Sequence, residues 1–347
     1  MRAVLLNKHS PIEEKPLEFV DLPTPTPNDN QILVKVSVCG LCHTDLDEIE
    51  GRLKPTKLPI VLGHQVVGTV ADKGKAVTKF KTDERVGITW LYWACGTCSF
   101  CQTGCENLCD QAKWTGKDAN GGYAEYMVIS EDSAYHIPER FSDSQAAPLL
   151  CAGVIGYRAV SLSKITDGQI IGLFGFGASA HIVIQIIRYK FPNSPVFVFT
   201  RSAEHRQLAE SLGAAWTGSP VEKPPAKINR AIDFTPVGQS IRNALLVMEK
   251  GGRLIINAIR KTTPVPQLDY AEYLWHEKEI KSVANVTRRD AGQFLPLAAQ
   301  IPITPQVQEF ELEQANEALI LLKQAKIRAA AVLLVGAKSD AARKVPK

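Results

Sequence analysis

Four cysteines at 95, 98, 101 and 109 sit in one stretch rich in glycine and polar residues, Ala94-Cys95-Gly96-Thr97-Cys98-Ser99-Phe100-Cys101 through Leu108-Cys109. Spacing this short lets a single loop fold back and present four sulfurs tetrahedrally to one Zn²⁺. The alternative is a pair of disulfides, which needs an oxidising compartment, and nothing else in the chain points to one. Cys105 interrupts the last gap, and the four-sulfur spacing is complete without it. A loop pinned in this way constrains the chain to fold around a metal.

A second candidate set is dispersed. Cys42, His64 and Cys151 together would form a Cys₂His site with its fourth position open, which separates a catalytic zinc from a structural one. Taken singly, a cysteine such as Cys151 after the run Ala146-Ala147-Pro148-Leu149-Leu150 is more often a small buried hydrophobe. The case for the set rests on its occurring alongside the four-cysteine loop and a nucleotide motif downstream.

The rhythm of the chain changes near its middle. Up to about residue 150 there are short strand-like runs, among them Ile32–Val38, Gln65–Val70 and Tyr123–Ile129, separated by turn clusters such as Pro23–Asn30. From about Gly168 it reads strand, helix, strand. Gln169–Phe174 is an apolar strand, Gly175-Phe176-Gly177-Ala178-Ser179-Ala180 a tight turn, and His181–Lys190 has helical spacing. Val196–Phe199, Ala203–Leu212, Arg230–Phe234 and Arg253–Asn257 continue the series, as in a dinucleotide-binding βαβ domain. A helix over Gln314–Gln324 and a strand over Ala331–Val335 return the chain to its first domain. The expected fold is therefore α/β in two domains. Residues 1–154, completed by 299–347, form a β-barrel-type catalytic domain, and 155–298 form a Rossmann domain with a doubly wound parallel sheet.

At the nucleotide turn, backbone N–H groups and a helix N-terminus can meet a pyrophosphate, with Gly175, Gly177, Ala178, Ser179 and Ala180 as the binding residues. The end of the second strand is more informative. An acid there would bind the ribose 2′-hydroxyl of NAD, but this chain carries Thr200-Arg201-Ser202. Hydroxyls and a guanidinium can hold a 2′-phosphate, so NADP(H) is favoured over NAD(H).

Composition excludes several classes. A net charge of +4 on 347 residues, dispersed along the chain, argues against a nucleic-acid partner. No run of eighteen apolar residues is present, so no membrane span is expected. The segment Met1–Lys8 turns polar too soon for a signal peptide and reads as a first strand. Eight cysteines without a secretion signal imply reduced thiols and a cytoplasmic protein.

The chain resembles the zinc-dependent alcohol dehydrogenases of the medium-chain dehydrogenase/reductase superfamily over nearly its whole length. The matching pieces are Cys39-Gly40-Leu41-Cys42-His43-Thr44-Asp45, Gly63-His64-Gln65-Val66-Val67-Gly68, Asp83-Glu84-Arg85-Val86-Gly87, the four-cysteine lobe, Gly121-Gly122-Tyr123-Ala124-Glu125 and Cys151-Ala152-Gly153. The resemblance implies a GroES-like catalytic domain, a nicotinamide cofactor and two zinc ions per chain. The catalytic zinc would be on Cys42, His64 and Cys151, with Cys39 a buried neighbour, and the structural zinc on Cys95, Cys98, Cys101 and Cys109. It further implies that Thr44 takes the alcohol proton, that His43 and Arg328 approach the cofactor pyrophosphate, and that Asp45 orients His64. Small alcohols or aldehydes are the implied partners, and a homodimer or homotetramer the implied assembly.

Two positions depart from the family. Gln65 stands where a glutamate usually follows the histidine ligand, which removes a negative charge beside the metal. Asp47 stands where many relatives have a histidine that passes the proton to solvent; either Asp47 substitutes or the ribose hydroxyl delivers to water directly. Trp90, Tyr92, Trp93 and Leu53 are the candidate pocket lining, which would favour apolar primary alcohols. Two rivals share the architecture. A non-catalytic NADPH-binding protein would have no need of an open metal set, and a zinc-less quinone reductase would lack the four-cysteine lobe.

Overall fold

The computed structural model describes residues 1–327 and 330–336, so Arg328 and the polar tail from 337 lie outside the described residues. The chain divides into two compact units. The first comprises Met1–Cys151, Val286–Ala299 and the chain from Thr304; the second comprises Ala152–Asn285 and Gln300–Ile303. Residues 286–298, which sequence rhythm kept with the nucleotide half, thus belong to the first unit. Hydrogen bonds tie it there: the Arg288 N–H donates to Glu106 Oε1 at 2.6 Å, and Arg140 Nη1 donates to the Ala299 carbonyl at 3.0 Å.

The first unit is built on a seven-stranded sheet with the order Ala134–His136, Arg85–Ile88, Gln65–Lys73, Gln31–Gly40, Ala330–Leu334 and Val307–Glu311, with Tyr126–Ser130 also paired to Gln31–Gly40. Only the last pair, Val307–Glu311 with Ala330–Leu334, is parallel. The long central strand alternates, with Ile32, Val34, Val36 and Val38 buried and Lys35 exposed. That two-residue period turns one face to the core. The core continues into Leu6, Ile12, Ile49, Ile60, Phe80 and Tyr123. The sheet ends at Cys39–Gly40, paired with Val66 and Gln65, and there the chain breaks into the helix His43–Ile49.

The second unit is a six-stranded parallel sheet ordered Trp216–Gly218, Val196–Phe199, Ile171–Phe174, Ile228–Asp233, Met248–Ile256 and Glu279–Ser282. In sequence order this is 3-2-1-4-5-6, the doubly wound arrangement with its reversal point between the first and fourth strands. Ile171–Phe174, Val196–Phe199 and the end of Ile228–Asp233 are buried runs, apolar except for Asp233, as a sheet covered on both faces requires. Gly156 on the helix Ala152–Ser163 has no room for a side chain, since a Cβ there would meet Val183 Cγ2 at 2.6 Å. The helix Ala178–Lys190 therefore packs closely against it. One stretch, Asp143–Ser163, is apolar and long enough to cross a membrane, against the expectation from sequence. It is nevertheless 67% buried within the protein over its most apolar window, as a core segment would be.

Candidate functional site

Cys42, His64 and Cys151 come together in the first unit, their ligand atoms all within 4.8 Å of one another. Each is delivered by the end of an element. Cys42 caps the helix His43–Ile49, His64 immediately precedes the strand Gln65–Lys73, and Cys151 follows the 3₁₀ turn Ala147–Leu150. The Cys42 and Cys151 sulfurs are 4.0 Å apart. Two thiolates on one tetrahedral zinc, each at about 2.3 Å, would be separated by about 3.8 Å. His64 is 1% exposed, yet neither ring nitrogen has a hydrogen-bond partner. Its Nδ1 lies 3.5 Å from Asp45 Oδ1, and a metal on the other nitrogen would satisfy the ring. The donor set fits a zinc ion.

Charge is shared unevenly over the trio. Cys42 is held well below the usual thiol range, first by its hydrogen bond with the Cys151 sulfur and then by His64 and Thr44, and Cys151 is pushed up in turn. Burial opposes charge on His64, but the Asp45 carboxylate and the Cys42 sulfur offset it and raise the imidazole well above its ordinary value. Cys39, fully buried, stays outside the set, with its thiol pushed up by burial.

Around the trio, Thr44 is 7% exposed and its Oγ1 lies 3.5 Å from Cys42 Sγ. His43 is exposed at the helix start. Asp45 Oδ2 accepts the Cys42 N–H at 2.7 Å and fixes the turn that carries the first sulfur. Asp47 is buried, and Arg52 Nε donates to its Oδ1 at 2.6 Å. Among the aromatic candidates, Trp90 is beside the site, its ring centroid 5.7 Å from that of His64. Tyr92 turns the other way: its hydroxyl accepts from Gln31 Nε2, and it lines a cavity of about 470 Å³ with Met1, Leu22 and Tyr126, to which none of the trio contributes. Trp93 is 36% exposed, with Lys113 over its ring. Leu53 lies just beyond the helix, its N–H bonded to the Asp47 carbonyl.

The sulfurs of Cys95, Cys98, Cys101 and Cys109 form the second group within the same 4.8 Å limit, and Cys105 is not part of it. Gly96 at φ +76° and Gly104 at φ +72° supply left-handed turns that fold the loop back. The Cys98 N–H donates to Cys95 Sγ, and N–H groups of this kind bring the Cys95 thiol down to about 6, while burial lifts Cys101 to about 12. All eight cysteines are free, so the disulfide alternative is set aside.

In the second unit, Gly175 has φ +82°, and Gly177 leads into the helix Ala178–Lys190. A Cβ at Gly177 would meet nothing within 4 Å, so the turn leaves the space over that helix N-terminus open to a pyrophosphate. Ala178 and Ser179 begin the helix, and Ala180 is buried. Thr200 closes the second strand and is buried, Arg201 is exposed, and the Ser202 hydroxyl accepts the His205 N–H as the cap of the helix Ala203–Ser211. Sequence reasoning missed Arg206, whose Nε donates to the Thr200 carbonyl at 3.0 Å and which brings a second guanidinium to the end of that strand. Its position on the first turn after Ser202 was the signal that could have found it.

A family model described as the alcohol dehydrogenase GroES-like domain matches residues 28–139. The chain is 42% identical over 340 residues to a probable alcohol dehydrogenase AdhA of Mycobacterium tuberculosis (strain CDC 1551 / Oshkosh), covering 96% of this chain and 97% of that protein. It is 33% identical over 344 residues to an alcohol dehydrogenase of Geobacillus stearothermophilus, covering 96% and 98%. Among solved structures, one described as an NAD-dependent alcohol dehydrogenase superposes with a TM-score of 0.88 at 25% identity, over 97% of this chain and all of that one.

Proposed function

We infer the function from one premise: this chain belongs to the zinc-type medium-chain alcohol dehydrogenase family. It is an alcohol dehydrogenase, an oxidoreductase with GroES-like and Rossmann parts. We propose that it uses zinc and transfers a hydride between NADP(H) and a small apolar primary alcohol or aldehyde. The observation that carries the zinc reading is the convergence of Cys42, His64 and Cys151, far apart in sequence, onto one spot with a buried, unpartnered imidazole. A second zinc on Cys95, Cys98, Cys101 and Cys109 would hold the loop.

Bound zinc would supply Lewis acidity toward the alcohol oxygen, and the nicotinamide would supply the hydride acceptor. The protein does the rest. Asp45, with one carboxylate oxygen 3.5 Å from His64 Nδ1 and the other accepting the Cys42 N–H, would orient the imidazole and the turn that carries the first sulfur. Thr44, whose hydroxyl lies beside Cys42, takes the substrate proton. Asp47 is committed to Arg52, so we propose that the ribose hydroxyl passes the proton to water without it. Trp90 excludes water on the apolar side of the trio. Arg201 and Arg206, with the Thr200 hydroxyl, receive the 2′-phosphate. Gly175, Gly177, Ala178, Ser179 and Ala180 are proposed for the pyrophosphate. Thiol-rich metal sets suit a reducing compartment such as the cytoplasm, and a homodimer or homotetramer is the proposed assembly.

A second reading, NAD dependence, is favoured by the likeness to the NAD-dependent alcohol dehydrogenase at TM-score 0.88. Elemental analysis together with NADPH and NADH kinetics on an aldehyde series tests the proposal. Two zinc ions per chain and a higher kcat/KM with NADPH support it. One zinc or fewer, or a preference for NADH, refutes the corresponding part.

A further inference from the structure

The helix that begins at Cys42 carries an acid with no assigned role. Glu48 lies one turn beyond Thr44 on the same helical face. It is 0% exposed, and neither carboxylate oxygen has a hydrogen-bond partner. Burying a carboxyl without a partner is costly, so such a group calls for a specific cause. Asp45, His64, Cys42 and Lys117 are close enough to act on its charge, and the Lys117 ammonium is already paired with Asp118 at 3.0 Å. Burial, and then Asp45, pushes its carboxyl well above the usual range, so the surrounding side chains offer its charged form no adequate partner.

Position 65 carries the complementary anomaly. The family's acid after the histidine ligand is absent, and the neutral Gln65 side chain is wedged against Gly40, where a Cβ would meet Gln65 Oε1 at 2.8 Å. One carboxylate is missing on the strand side of the trio, and an unpartnered one is present on the helix side. We propose that Glu48 is a charge-balancing residue of the Cys42, His64 and Cys151 centre, supplying from the helix the negative charge that Gln65 does not. It is a positioning residue and not a ligand. In a water-poor interior a carboxylate stabilises a nearby dication without touching it, and outer groups of this kind change metal affinity by about 10- to 100-fold. The inference rests on the zinc reading above.

The test is zinc retention. Zinc-loaded protein is dialysed against graded chelator and its residual zinc measured, with Cys42→Ala defining the amount held by the four-cysteine loop alone. Glu48→Gln, which removes charge and keeps shape, should release the zinc of Cys42, His64 and Cys151 at about 10- to 100-fold lower chelator and leave the loop's zinc unchanged. Glu48→Asp should stay near the parent, and adding Gln65→Glu to Glu48→Gln should restore retention. Circular dichroism confirms that each variant is folded. Retention in Glu48→Gln equal to the parent, whatever its activity, overturns the proposal. Equal losses in Glu48→Gln and Glu48→Asp, or no rescue by Gln65→Glu, overturn it as well. A parent with only one zinc would instead refute the metal reading itself, so the two failures are distinguishable.

Discussion

Thr44 is the smallest change that separates the metal from the proton. Its hydroxyl sits beside Cys42 Sγ in a buried position, while its backbone is held in the first turn of the helix. Thr44→Val preserves the shape and removes the proton acceptor. Turnover should fall by about 10²- to 10⁴-fold, the range for a positioned acid–base group. Zinc content should not change, and Thr44→Ser should recover activity; zinc loss in Thr44→Val would mean that the residue supports the metal set instead. The second change at this scale concerns cofactor choice. Arg201→Ala or Arg206→Ala should raise KM for NADPH by about 10- to 100-fold, the loss of one charge-assisted hydrogen bond of about 1.5–3 kcal/mol. KM for NADH should hardly move, because its ribose carries no phosphate. Equal losses with both cofactors would return these guanidinium groups to the role of solvated surface charge.

At the scale of elements, the nucleotide turn and the cysteine loop make separate predictions. Gly175 at φ +82° lies where an L side chain is strained, and a Cβ there would meet Thr235 Cγ2 at 3.0 Å. Gly175→Ala should therefore weaken NADPH and NADH alike, unlike the arginine changes, and fluorescence titration with each cofactor would reveal it. Cys98→Ser removes one of four sulfurs from a loop with little regular structure beyond the short helix Ser99–Gln102. Its melting temperature and solubility should fall while the folded fraction keeps the zinc of Cys42, His64 and Cys151; an unchanged melting curve would argue against a structural metal. Four of the six strands and two helices of the second unit were legible, the strands from their apolar runs; the edge strands Trp216–Gly218 and Glu279–Ser282, the latter exposed along its length, and the helix Gln239–Val247 were not. The helix Ala178–Lys190 begins three residues before the expected His181 because its first turn is made of small residues with no hydrophobic pattern. The helix His43–Ile49 was not legible at all, since it buries Thr44, Asp45, Asp47 and Glu48 against any amphipathic rule. Sequence logic fails there because the helix is built around a site.

Across the whole molecule, both metal sets fall in one compact unit and the glycine turn in the other. The three-residue set was readable from motif order, but the pairing of Asp47 with Arg52 and the turning of Tyr92 away from His64 were not, because both depend on side-chain direction after folding. The two units also bury separate cores: Leu6, Ile32, Val34 and Phe80 in one, Ile171, Leu173, Val196 and Val198 in the other. Metal removal should therefore be felt unevenly. A set with three protein ligands and an open position gives up zinc more readily than four thiolates that enclose it. Along a graded chelator series, turnover should vanish as the first zinc leaves, with little change in the melting curve. Loss of the second zinc should then lower the melting temperature and expose the loop thiols to a thiol reagent. NADPH binding, followed by fluorescence, should survive the first step, because the residues proposed to hold its phosphates in the second unit need no metal. Cofactor binding that falls in step with turnover would defeat this division of labour, and turnover that persists below one zinc per chain would defeat the zinc mechanism.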